Sequence, residues 1–167
     1  YHFSGYWKDV GTISSLWEAN MEVLDPKNSG IDLFDEDWKI YSRNSGMTGH
    51  KIGSDAVIKN SMITDGCRID GEVEHSVLFA GVKVAQGAVV KDAVVMGGTV
   101  IKPGAVVEHC IIGENAVIGE NAKIGVEKEG EDKGVATIGP GVYVGDGATV
   151  GSNAMVRENV KDGEEEW

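Results

Sequence analysis

Residues 84–124 read VAQGAVVKDAVVMGGTVIKPGAVVEHCIIGENAVIGENAKI, and this run decides the fold. Aliphatic side chains recur at Val84, Val90, Val95, Ile101, Val107, Ile112, Ile118 and Ile124, mostly in steps of six. A small residue follows each of the first seven by three or four positions: Ala88, Ala93, Thr99, Ala105, Cys110, Ala116 and Ala122. Turn pairs such as Gly113-Glu114 and Gly119-Glu120 sit between the units. A six-residue unit with one aliphatic and one small inward residue is the pattern of a hexapeptide β-helix. Three units close a triangular coil, and the aliphatic residues stack along its axis.

The period extends in both directions. Ile52, Ile58, Ile63, Ile69, Val73 and Leu78 precede the run, and Ile138, Val144, Val150 and Val156 follow it. The steps 58–63, 73–78, 90–95 and 107–112 are one residue short, and all four fall on the same face. Only the step from Ile69 to Val73 is shorter. The expected fold is mainly β: a left-handed parallel β-helix of about six coils over residues 46–167, about 29 Å long at ~4.8 Å per coil. A helical alternative fails, because glycine and β-branched residues at this density would cost ~0.5–1 kcal/mol each.

Coil register also aligns outward positions. One column reads Lys59, Glu74, Lys91, Glu108, an alternating ladder whose exposed pairs contribute a few tenths of a kcal/mol each but oppose register slips. The next reads Asn60, His75, Asp92, His109. Two histidines flanking a carboxylate suit a metal or a pH sensor, and the plainer reading is solvated side chains. Cys67 and Cys110 occupy inward small-residue slots and are expected to be buried, inert thiols. The step from Ile124 to Ile138 carries an insertion, residues 126–134, expected to be a mobile surface loop. The Glu164-Glu165-Glu166 tail reads as solvated charge.

The first 45 residues differ in character. Eight of the eleven aromatics lie there, at Tyr1, Phe3, Tyr6, Trp7, Trp17, Phe34, Trp38 and Tyr41, and residues 42–46 read as a linker. Tyr1 to Val10 reads as extended chain. Thr12 can cap a helix running to about Leu24, with Ile13, Leu16, Trp17, Asn20, Met21 and Leu24 on one face and Asp25-Pro26 as its stop. So short a segment cannot bury its own aromatic surface, so its partner is expected to be missing or supplied by another chain. With no initiator Met, the chain is expected to be a fragment, residues 1–45 being a strand/helix remnant of an α/β domain.

Composition narrows the function. The formal charge is −12, from 15 Lys and Arg against 27 Asp and Glu, which argues against a nucleic-acid surface. No apolar run approaches a membrane span and no signal peptide is evident. Two cysteines are too few for a disulfide framework, so a reducing cytoplasm is expected.

The segment from Gly5 to Thr12 (GYWKDVGT), followed by Trp17 to Met21 (WEANM), resembles the end of the catalytic domain of bacterial glucose-1-phosphate adenylyltransferases. Phe34 to Tyr41, Lys59-Asn60-Ser61 and Glu74 to Phe79 resemble the C-terminal β-helix of the same family. The hexapeptides are shared with acyltransferases and other nucleotidyltransferases, whereas the upstream YWxDVGT segment is more specific. The resemblance implies an enzyme of glycogen synthesis that joins ATP and α-glucose 1-phosphate into ADP-glucose and pyrophosphate, with Mg²⁺. It implies that Asp9 is one of two carboxylates on the metal, a role suited to an ion that takes one or two carboxylates plus phosphates and waters.

The family's glycine-rich nucleotide loop, its second metal carboxylate and its sugar-phosphate lysine are absent from this sequence. The chain alone is therefore expected to be inactive and to hold no cofactor. The resemblance further implies a homo- or heterotetramer whose β-helices join protomers and serve allosteric control by phosphorylated sugars or similar anions. Where some relatives carry a base after the Leu-Phe pair, this chain has Ala80-Gly81, and the nearest base, Lys83, is the candidate effector contact. Two rival readings stand beside this one. One is a hexapeptide acyltransferase with His75 or His109 as general base; the other is a scaffold or regulatory subunit without catalysis.

Overall fold

The computed structural model describes residues 1–41, 44–128 and 133–167. Part of the linker read at residues 42–46 (42 and 43) and part of the insertion (129–132) lie outside them. From Lys51 onward the chain winds into a parallel β-solenoid with three flat faces. Face I stacks Lys51–Ile52, Arg68–Ile69, Lys83–Val84, Val100–Ile101, Val117–Ile118 and Tyr143–Val144 in that order, and Val160 adds a bridge to Val144. Faces II and III form one continuous sheet, because the strands Val89–Val95 and Val106–Ile112 bend from one face onto the other.

The pairing registers match the sequence periodicity. Ile69 pairs with Val84 and Val84 with Ile101 on face I, Val90 with Val107 on face II, and Val95 with Ile112 on face III. These side chains are at most 1% exposed. Cys67, Ala88, Ala93, Thr99, Ala105, Cys110, Ala116 and Ala122 fill the space between the aliphatic columns, as the small-residue slots predict. Each coil's backbone bonds to the next: Val100 N–H donates to the Ala116 carbonyl at 2.9 Å and Lys102 N–H to that of Ile118 at 3.0 Å.

The solenoid has about seven turns among the described residues, one more than the aliphatic count. The Glu164–Glu166 tail is the reason: Glu165–Glu166 forms a last strand paired in parallel with Thr149 and Val150, not merely solvated charge. Trp167 folds back against Gly151, with the Lys128 ammonium 4.7 Å from its ring.

The N-terminal helix α1 spans Ile13–Glu22, two residues shorter than expected. Thr12 caps it: its Oγ1 accepts from Ser15 N–H at 3.1 Å, and Thr12 N–H donates to Ser15 Oγ at 3.0 Å. Pro26 ends this helical stretch as predicted but also starts a four-residue helix α2, Pro26–Ser29, closed by Gly30 at φ 78°.

The expectation that α1 lacks a partner in this chain is corrected. Its apolar side, Ile13, Leu16, Trp17 and Met21, packs on the outward residues Val77, Val94 and Ile111 of face III, with Val135 beside them. The sequence pattern assigned Asn20 to this face, but its amide instead donates to the Leu16 carbonyl at 2.9 Å. Tyr1, Phe3, Trp7, Phe34, Trp38 and Tyr41 remain exposed.

The core sets a stability test. Ile101 is 0% exposed at the centre of the face I column. Ile101→Ala should cost ~2–5 kcal/mol in urea unfolding, while Lys91→Ala on the exposed ladder should stay within ~0.5 kcal/mol. A cost below ~1 kcal/mol at position 101 would contradict a close-packed column.

Candidate functional site

Lys83 stands on the outer side of face I, directly in register with Arg68 on the preceding coil. With Lys102 from the following coil, these two line a shallow groove of about 570 Å³, walled by Gly53, Ala85, Gln86 and Pro103. The cations differ in availability. Arg68 Nε is held by Asp70 at 2.9 Å. Lys102 lies 3.1 Å from Asp146 and 5.3 Å from the Tyr143 ring, and its pKa is raised first by the Asp146 hydrogen bond and then by the Tyr143 hydroxyl. Lys83 is exposed and makes no side-chain hydrogen bond or ion pair among the described residues.

Asp55 and Asp70 line the same groove, so the three cations face two carboxylates there, and a phosphate-sized anion would be drawn first to the unpaired Lys83. Arg68 and Lys102 escaped the sequence reading. The signal was present, since 68 and 83 each precede a face I aliphatic by one position, but outward columns were aligned only for the second face.

Asp9 lies in the irregular segment before α1. Its Oδ1 accepts from Gly11 N–H at 3.1 Å, an Asx turn that leads into the Thr12 cap. The segment is fixed to α1 through Lys8, which reaches Glu18 at 2.9 Å and Glu22 at 2.7 Å, and through the Tyr6 hydroxyl, which donates to Glu22 at 2.7 Å. Lys8 and Tyr6 together hold the Glu22 carboxyl below the usual range, the lysine hydrogen bond being the larger cause. Asp9 itself is exposed. Among the described residues no group of three or more His, Cys, Asp or Glu could hold a metal ion. A single carboxylate does not fit Mg²⁺ here, so no chemical step is assigned to a metal in this chain.

The Asn60, His75, Asp92, His109 column has a backbone cause. All four residues adopt the left-handed conformation, with φ of 39°, 45°, 49° and 43°. The five-residue steps turn the corner between faces II and III one residue early, and that residue must take positive φ. Asn, Asp and His tolerate this best among non-glycine residues. At another corner, Gly66, Gly81, Gly98, Asn115 and Gly141 meet the same demand.

Two of the sequence readings of this column, a metal site and plain solvation, do not fit the geometry among the described residues. The histidines do not converge on a metal, and they are not simply solvated. His75 Nδ1 lies 2.7 Å from Asp92 Oδ1. The His109 ring sits 4.4 Å from the Trp17 ring, tilted by 58°, and Trp17 Nε1–H donates to the Asp92 carbonyl at 2.8 Å. Burial is the main cause holding the His109 pKa below its ordinary 6.5. A general base needs reach to a substrate proton, and the indole covers His109 on one side. Cys67 and Cys110 are buried as expected, and burial pushes both thiols up, away from the reactive thiolate.

The backbone account is tested by a pair of variants. His75→Asn should retain stability, whereas His75→Val should lose ~1–2 kcal/mol relative to it, because valine is strained at positive φ. Equal urea midpoints for the two would contradict the account.

Comparison with known proteins adds to this geometry. The family model described as GlmU-like, C-terminal hexapeptide matches residues 45–145. The chain is similar to glucose-1-phosphate adenylyltransferase of Clostridium perfringens strain SM101, 56% identical over 95 residues, covering 57% of this chain and 24% of that protein. The Geobacillus stearothermophilus enzyme of the same name is 53% identical over 91 residues, covering 54% of this chain and 23% of that protein. The Clostridium beijerinckii enzyme is 50% identical over 94 residues, covering 56% of this chain and 24% of that protein. The matched stretch thus spans about a quarter of the length of these curated relatives.

Proposed function

This chain belongs to the GlmU-like, C-terminal hexapeptide family, and from that premise we propose that it is the assembly and regulatory part of a glucose-1-phosphate adenylyltransferase. The observation that carries the reading is the 50–56% identity to enzymes of that name over more than half of this chain. In this reading the complete cytoplasmic protein transfers an adenylyl group from ATP to α-D-glucose 1-phosphate, giving ADP-glucose for glycogen synthesis and releasing pyrophosphate.

The residues present take supporting roles. Asp9 contributes one carboxylate of a magnesium site whose other ligands lie outside this chain. The solenoid supplies flat, rigid faces suited to joining protomers in a tetramer. The groove of Arg68, Lys83 and Lys102 receives the phosphate of an anionic effector, and Lys83 makes the first contact because, among the described residues, it has no ion-pair partner.

An adenylyl-transfer assay tests this. The complete protein should form ADP-glucose and pyrophosphate from ATP and glucose 1-phosphate, and the 167-residue chain alone should form none. Lys83→Glu in the complete protein should raise the concentration of phosphorylated sugar needed for half-maximal response by about tenfold, since reversing one charge at a phosphate contact costs on the order of 1–2 kcal/mol. Turnover by the isolated chain, or no adenylyl transfer by the complete protein, would contradict the reading.

A further inference from the structure

The contact between α1 and the solenoid sets an indole against an imidazole. Trp17 fits over the corner of faces II and III, donating to the Asp92 carbonyl at 2.8 Å while its ring lies 4.4 Å from the His109 imidazole. Met21, one turn further along α1, is buried in the same apolar cluster as Val94, Ile111 and Val135. We propose that the Trp17–His109 contact is a pH-sensitive clasp: α1 rests on face III while His109 is neutral and is released when His109 takes a proton.

The geometry supports this in three ways. First, the left-handed corner at φ 43° fixes the point from which the His109 side chain leaves the backbone, and its ring lies there against the indole. Second, α1 removes water from one side of the imidazole, which costs little for the neutral ring and much for the imidazolium. Third, no carboxylate is within ion-pairing distance of His109 among the described residues. Asp92 is committed to His75 at 2.7 Å. Glu127, at the base of the insertion, is committed to Lys133 at 2.7 Å. On α1, Glu18 and Glu22, the acids nearest Trp17 in sequence, are both committed to Lys8.

Asp92 and Glu127 favour the proton at a distance, Lys133 opposes it, and burial is the largest influence and opposes it. The indole face would attract an imidazolium to some degree. That attraction is set against lost hydration and the Lys133 charge, and the net direction is downward from 6.5. A histidine whose pKa is lower in the docked state supports docking fully above about 6.5 and loses that support as pH falls through the docked-state value. One proton changes the docking constant by at most about tenfold per pH unit. Release also frees the segment carrying Asp9, which is bound to α1 through Lys8 and Tyr6.

The test is an NMR titration of the full chain from about pH 7.5 to about 5, across the range in which histidine titrates. The ring C–H signals of His109 report proton uptake, and Overhauser contacts from the Met21 methyl to Val94 and Ile111 report docking. The expected result is that these contacts weaken in step with His109 protonation, below 6.5. The indole N–H signal of Trp17, assigned by its loss in Trp17→Phe, should move with them toward the signals of exposed Trp7 and Trp38. His109→Asn, which keeps a residue tolerant of the corner, should hold α1 without pH dependence. Contacts that persist through His109 protonation, that strengthen in acid, or that vanish in acid in His109→Asn would overturn the proposal.

Discussion

The stacking of coils in register is the constraint on which the rest of this structure depends. A parallel solenoid satisfies its backbone only if each coil offers its N–H and C=O groups at the same height and angle as the coil before it. Ile101 must therefore sit over Val84 and Ile118 over Ile101, and each corner must turn at the same residue. The aliphatic columns remove apolar surface from water, and the positive-φ corners keep the faces flat. Substitution of one residue is felt by its neighbours above and below.

The same constraint organises the exterior. Any outward position becomes a column, so one face presents one chemistry repeated at the coil spacing of ~4.8 Å. Face I brings Arg68 and Lys83 side by side, an arrangement of like charges that disfavours the sheet slightly and favours an anion. Face II carries the alternating ladder, of which Lys59 reaches Glu74 at 3.7 Å. Face III aligns Val77, Val94 and Ile111 into an apolar strip, and α1 covers it. A groove of mixed charge, a charged wall and an apolar strip thus share a single short solenoid.

The interior was legible in the sequence because backbone geometry imposes it: the inward columns, the small residues and the buried cysteines all follow from a six-residue period. The last turn was less legible because Val160 follows Val156 by only four residues, and Glu165–Glu166 pairs through its backbone with no aliphatic side chain to announce it. Asn60, His75, Asp92 and His109 were visible as a column but their backbone cause was not, since tolerance of positive φ and metal-binding ability belong to overlapping sets of residue types. Docking of α1 could not be read from its own amphipathic pattern. That pattern shows a face to bury, whereas the strip that receives it emerges only after the third face is stacked. Trp17 bonding to a carbonyl 75 positions away has no local signature at all.

The regulatory and assembly role proposed for this chain makes it one part of a larger protein. The most direct test is the intact mass of the polypeptide as its source cell makes it. A mass a little over twice 17.7 kDa is the result this account predicts, because the matched stretch is 57% of this chain but only 24% of the relative's length. A mass of 17.7 kDa would contradict it and leave a self-standing solenoid in place of a part of an enzyme.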